Sequence, residues 1–198
     1  MDIQLDQEVQ RYFEQVQSTL QSITSSSIEK LVKAILVTYR EGKTIYAFGN
    51  GGSGATASHF VGDLLKGVSY GLSKRVRAMC LNDNSPALLA IANDISYGDI
   101  FVEQLRNFLS PGELVIGFSG SGNSPNIVNA LTYARDLGAT TVAICGYNGG
   151  KIATIAHIVV HAPINDMEVC EDIHMVLTHC IKKILMRRIN PTHLTGCA

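Results

Sequence analysis

The chain has 198 residues, 46% of them hydrophobic and 17% charged, which suits one globular soluble domain with enough material for a core. A formal net charge of −1 argues against a protein that binds nucleic acid through bulk electrostatics, and no apolar run is long enough to span a membrane. The first residues lack the basic and apolar regions of a signal peptide, and the five cysteines include no CxxC pair, so buried free thiols in a cytoplasmic protein are expected, with Cys80 and Cys145 in apolar runs.

Residues 4–42 read as helical. Leu5, Val9, Tyr12, Phe13, Val16 and Leu20 form a helical stripe, residues 25–27 punctuate it, and Leu31, Val32, Ile35 and Leu36 continue it. Such a stripe either packs on the chain's own sheet or meets another copy, and it raises the expectation of a homo-oligomer. Residues 44–48 form the first expected strand. A glycine-rich loop at 49–54 and a helix over 55–65 follow. Further strands are expected at 75–81, 113–118, 140–145 and 158–161. Helices are expected near 85–92, 97–109, 124–137, 149–155 and 166–189, and the tail 190–198 reads as loose or draped. Alternating helices and fully apolar strands imply a parallel sheet covered on both faces. Ligands of such sheets bind at the carboxyl ends of the strands, where both loops, 49–54 and 119–124, fall.

The second loop is the more informative. Ser119, Gly120, Ser121, Gly122, Asn123 and Ser124 lie between an apolar strand and a helix. Unpaired N–H groups and the helix dipole favour an anion there, and the serines add hydroxyl donors. Without a Lys or Arg in the loop, the reading is a neutral cradle for a phosphate monoester; a simple turn with an N-cap is the alternative. Gly49, Gly51 and Gly54 match G-x-G-x-x-G, but two helices precede the strand. The next strand also ends about thirty residues on, where a dinucleotide fingerprint expects about twenty. No nucleotide cofactor is therefore expected. Gly42, Lys43 and Thr44 imitate the end of a P-loop, yet they lead into a strand.

Acid–base chemistry has few candidates. His59 and Asp63 are four residues apart and share a helix face, and the last helix carries Glu168, Glu171, Asp172, His174 and His179. Imidazole and carboxylate together also suit a divalent metal such as zinc. Each has a structural alternative: a lone His on a helix often packs, and Glu171 and Asp172 could serve the helix dipole. Asn93 and Asp94 could cap a helix or hold sugar hydroxyls. The residues alone support a phosphorylated small molecule meeting a His–carboxylate site.

The stretches Phe48–Ser53, His59–Phe60, Ala92–Asp94, Ser119–Ser124 and Glu171–His174, together with His179, resemble the sugar isomerase (SIS) domain family. Within it they are most similar to the sedoheptulose 7-phosphate isomerases, also called phosphoheptose isomerases. The resemblance covers nearly the whole chain, 1–198, as one SIS domain with helices 4–42 in an oligomer interface. It implies a flavodoxin-like three-layer αβα sandwich with a five-stranded parallel sheet and an N-terminal helical extension. It also implies a cytoplasmic homotetramer with shared active sites that interconverts ketose and aldose phosphates, feeding heptose synthesis for cell-surface glycans. Carried over by position, Asn50, Gly51, Gly52, Ser53, Asn93, Asp94 and Glu171 would contact the sugar. Ser119, Gly120, Ser121 and Ser124 would hold its phosphate. His59, Asp63, Glu171 and His179 would bind zinc, and Asp63 and His179 would carry protons between C1 and C2 through a cis-enediol.

Three positions depart from the family pattern: Asp63 stands for Glu, Glu171 for Gln and Gly120 for Thr. Glu171 and His179 would also lie about 12 Å apart along an ideal helix. A second reading within the family is a non-catalytic phosphosugar-binding regulator, like the SIS proteins that associate with the bacterial replication initiator. That group lacks the acidic residue and the final histidine, so Asp63 and His179 favour an enzyme.

Overall fold

The computed structural model describes residues 2–191, with side chains from residue 4. The expected tail therefore falls mostly outside the described residues. Two helices, α1 (Asp2–Ser22) and α2 (Ser25–Glu41), precede β1 (Thr44–Gly49). There follow α3 (Gly51–Gly62), β2 (Arg77–Cys80), α4 (Ser85–Asp94), α5 (Val102–Phe108), β3 (Leu114–Ser119) and α6 (Pro125–Asp136). The chain continues with β4 (Thr140–Cys145), α7 (Ile152–Ile155), β5 (Ile158–His161) and α8 (Met167–Ile189). The five strands are all parallel, in the order β2-β1-β3-β4-β5.

Strand alternation builds two cores. Ile45, Ala47, Leu114, Ile116, Val142 and Ile144 face α2, α3, the turn that follows α3, and α8 through Leu31, Ile35, Phe60, Leu64, Ile173 and Leu177. Tyr46, Phe48, Val115, Ala143 and Cys145 face the other way, onto Phe101, Leu105, Ile127, Leu131 and Ile152. Because both faces are covered, the strands read as continuous apolar runs rather than as an alternating pattern.

The expected bounds of the loop and helix over 49–65 need correction. The stretch 49–54 is not a loop followed by a helix at 55: α3 begins at Gly51, so the glycines form its first turns. Small residues are needed there because the chain is crowded. A Cβ on Gly49 would come within 2.6 Å of Ser53 backbone, and one on Gly54 within 2.8 Å of the Asn82 amide. The far end also differs, since α3 passes into a π-helical turn over Asp63–Val68. The stripe on α1 splits. Tyr12, Val16 and Leu20 pack against the first core, whereas Leu5, Val9 and Phe13 remain 63%, 44% and 59% exposed. Cys80 and Cys145 are buried free thiols, as is Cys170, and burial pushes all three up to about 12.

Candidate functional site

Sheet order reverses between β1 and β3, and the crevice at that switch point is where an open parallel sheet binds ligands. Both small-residue segments meet there. Asn50, between β1 and α3, makes a reciprocal amide pair with Asn126 on α6. Its Nδ2 donates to Asn126 Oδ1 at 3.0 Å, and Asn126 Nδ2 donates back to Asn50 Oδ1 at 2.8 Å. Asn126 Oδ1 also accepts from the Ile127 N–H at 3.0 Å, and Asn126 is buried. Tyr97 adds a hydroxyl bond to Asn50 Oδ1 at 3.3 Å. Asn82 closes the other side, accepting from the Gly49 N–H at 3.1 Å and donating to the Gly49 carbonyl at 2.8 Å. Sequence reasoning missed Asn82, Tyr97 and Asn126 as site-builders. Their partners are 33 to 76 residues away, so only their amide and hydroxyl chemistry was on view.

The serine segment turns tightly between β3 and α6. Ser119 Oγ accepts from the Gly122 N–H at 3.1 Å, and Ser121 Oγ from the Asn123 N–H at 3.3 Å. Gly122 has φ +67, a left-handed conformation that disfavours a side chain, and a Cβ there would strike the Gly149 carbonyl. Ser124 is the N-cap residue of α6, yet its side chain makes no cap bond. A helix N-terminus with its cap hydroxyl not engaged in this way is chemically suited to an anion. A Cβ on Gly120 would lie 2.5 Å from Met167 Sδ, so a side chain at this position requires the thioether to move. The Met167 thioether fills the space that a threonine side chain would need.

A second group of candidate side chains lies further along α3, where α8 runs beside it. His59 and His179 meet at 2.9 Å between their Nε2 atoms, one ring donating and the other accepting. Asp63 Oδ2 is 3.5 Å from His59 Nε2. Each of the three offers a ligand atom, and these atoms lie within 4.8 Å of one another. Asp63 Oδ1 accepts from Lys182 Nζ at 2.6 Å, whereas Oδ2 is buried with no hydrogen-bond partner among the described residues. An ionised carboxylate oxygen in that state has strong unmet capacity for a proton or a cation. Two nitrogens on a tetrahedral zinc, at about 2.0–2.1 Å each, stand roughly 3.3 Å apart, so the donor types and spacing fit such an ion.

The remaining candidates are dispersed. Glu171 is outside the His–Asp cluster; its carboxylate lies where a Cβ on Gly52 would go, against the first turn of α3. A carboxylate is stabilised at a helix N-terminus, which offsets the charge it brings. Gly51 and Gly52 are exposed and Ser53 is buried. Asn93 and Asp94 end α4, are exposed, and bond to each other at 2.8 Å. Asp172 accepts from the Tyr12 hydroxyl of α1 at 2.7 Å, which raises that phenol to about 12. Glu168 lies in the first turn of α8 and is exposed. His174 is fully buried near Cys170 and Phe118, and burial lowers it to about 4, so it packs the core as a neutral ring.

The parallel order 2-1-3-4-5, with the serine segment at the carboxyl end of β3 beside its switch point, defines a doubly wound α/β protein of flavodoxin-like topology. The SIS domain family matches residues 11–146, and the chain belongs to that family. A probable phosphoheptose isomerase of Thermoplasma volcanium is 37% identical over 174 residues, which is 88% of each chain. The phosphoheptose isomerase of Aliarcobacter butzleri is 38% identical over 159 residues, covering 80% of this chain and 83% of its own. Among solved structures, the phosphoheptose isomerase of Neisseria gonorrhoeae superposes with a TM-score of 0.84 at 26% identity, over 91% of this chain and 98% of that one.

Proposed function

We propose that the chain is a cytoplasmic aldose–ketose isomerase that interconverts sedoheptulose 7-phosphate and D-glycero-D-manno-heptose 7-phosphate. The observation that carries this reading is the buried Asp63 Oδ2, which accepts no hydrogen bond among the described residues, beside the His59–His179 pair. It places a base and an imidazole together, as a proton transfer at neutral pH requires. The relatives, which are phosphoheptose isomerases, set the substrate class.

The phosphate is received by Ser119, Ser121 and Ser124 and by the N-terminus of α6, with Gly120 lending its backbone. Asn50, Gly51, Gly52 and Ser53 face the sugar, Asn50 being held in one orientation by Asn126. Asn93, Asp94 and Glu171 complete the hydroxyl contacts. One of Asp63 and His179 removes the carbon proton to give a cis-enediol, and the other moves the oxygen proton. A zinc ion would be held by His59, Asp63 and His179, and would supply Lewis-acid polarisation of the substrate carbonyl.

The two groups of residues are not adjacent in one chain. From Gly51 to His59 is about 12 Å along α3, and Glu171 to His179 is the same along α8. That separation supports active sites completed by a neighbouring copy in a homotetramer, and the exposed Leu5, Val9 and Phe13 offer an apolar face for assembly. The test is phosphorus and proton NMR of sedoheptulose 7-phosphate with the full-length protein. Appearance of the aldose phosphate is the expected result. Binding without conversion would leave a phosphosugar sensor instead.

A further inference from the structure

We propose that Lys182 is a positioning residue of this site: laid over Gly67, its ammonium takes one oxygen of Asp63 and leaves Oδ2 as the oxygen that works. The inference rests on the isomerase reading only for what Asp63 does; the geometry stands apart from it.

Three observations converge. Lys182 Nζ donates to Asp63 Oδ1 at 2.6 Å, and the side chains are 28% and 12% exposed, so this pair is partly withdrawn from water. Gly67 makes the path for the lysine stem, since a Cβ there would come 2.6 Å from Lys182 Cε and 3.2 Å from Nζ. Asp63 and Gly67 both belong to the π-helical turn Asp63–Val68, a wider turn than the α-helix before it and one often found at functional sites. The turn brings the carboxylate and the glycine gap to the same side, facing α8. A surface ion pair needs neither a glycine gap nor an altered helix, and such pairs contribute little to stability.

The consequence is electrostatic as well as steric. A fixed positive charge beside Asp63 restricts the carboxylate to one rotamer with one open oxygen. It also opposes any cation gathered by His59, Asp63 and His179. Lys182 therefore tunes the site toward holding a divalent ion loosely through a single carboxylate oxygen. Removing the ammonium frees Oδ1 and removes the repulsion, so the chelating power of the site should rise while its orientation for proton transfer degrades.

Zinc affinity of the full chain, measured by competition with a chromophoric chelator, reads the first effect; kcat and KM on sedoheptulose 7-phosphate read the second. Lys182→Met is expected to bind zinc about tenfold more tightly, the size of one unit charge a few ångströms from a divalent ion in a water-like dielectric. Its kcat should fall at least tenfold, with KM within about twofold, because a misplacement of about 1 Å can cost on the order of a hundredfold in rate. Lys182→Arg should return zinc affinity to within about threefold of wild type. Gly67→Ala pushes the lysine aside without changing the chain's charge and should move both readouts in the direction of Lys182→Met; it decides the matter if Lys182→Met folds poorly. Unchanged or weaker zinc binding in the folded variants, or no zinc binding by any of the proteins, overturns the proposal. Zinc affinities that shift as expected in a protein that does not isomerise the sugar phosphate would sink the isomerase reading and leave the role of Lys182 standing.

Discussion

The amide pair between Asn50 and Asn126 ties the end of β1 to the start of α6, and removing it should show in stability and in substrate binding together. Asn126→Ala deletes two side-chain hydrogen bonds to Asn50, at 3.0 and 2.8 Å, and a third from the Ile127 N–H at 3.0 Å. Each such bond contributes about 1 kcal/mol net, and stranding a buried polar group costs about 1–3 kcal/mol more. Asn50 is half-buried and keeps Tyr97 as a partner for its Oδ1, so only its Nδ2 is stranded. The Ile127 N–H keeps the Ser124 carbonyl at 3.1 Å, so two bonds of about 1 kcal/mol each and one stranded donor at about 1–3 kcal/mol put the expected loss at about 3–5 kcal/mol. At roughly 2–4 °C per kcal/mol for a chain of this size, the midpoint should fall by roughly 6–20 °C. Because both residues act through one contact, Asn50→Ala should cost little further in the Asn126→Ala background. Urea denaturation of the wild type, the two single variants and the double variant gives the coupling, expected at about 1–2 kcal/mol. KM for the sugar phosphate should rise in both single variants, since Asn50 is no longer held. Additive stability losses, or a normal KM in Asn126→Ala, would refute the idea that the pair fixes the site.

Other outcomes follow from particular residues. Ser124→Ala should weaken phosphosugar binding by about 1.5–3 kcal/mol, the range for a hydrogen bond to a charged group, and leave unphosphorylated sugar unaffected; equal losses for both ligands, read by calorimetry, would show that the loop is not a phosphate cradle. His174 titrates near 4 in the fold against 6.5 unfolded, so the unfolded state binds more protons between those values. Stability is unaffected by this group above pH 6.5 and should drop by on the order of 3 kcal/mol as pH falls to 4, a slope that His174→Gln should lack in denaturation curves. Deleting residues 1–24 should reduce the assembly size or cause aggregation, and sedimentation of the intact chain as a monomer at micromolar concentration would contradict an interface on α1.

Much of the architecture was legible because the strands are apolar throughout and the helices amphipathic. The strands at 44–48, 140–145 and 158–161 sit where alternating elements imply, and the serine segment falls at the carboxyl end of β3 as the pattern requires. His174 could have been read as packing, since it shares the buried stripe of Val169, Cys170, Ile173, Leu177 and Ile181. The start of α3 was obscured because glycines that normally break helices are needed there for close approach to Asn82 and to Ser53. No propensity marks the π turn at Asp63, and nothing local announces that Lys182, 119 residues later, will take one of that carboxylate's oxygens. The packing of Met167 against Gly120 was likewise invisible in the sequence, because 47 residues separate them.

Solvent isotope incorporation tests the central claim most directly. Sedoheptulose 7-phosphate is incubated in deuterium oxide with the wild type, His179→Gln or Asp63→Asn, and the C1 and C2 positions are followed by proton NMR. An enediol formed by proton removal exchanges with solvent, so the wild type should place deuterium at C1 of the ketose and C2 of the aldose. Both variants should bind the sugar phosphate within about tenfold of wild type yet exchange about 10²–10⁴ times more slowly, the contribution of a positioned acid or base. Equal exchange in all three proteins, or conversion by the wild type without any deuterium uptake, would contradict a proton transfer carried by Asp63 and His179.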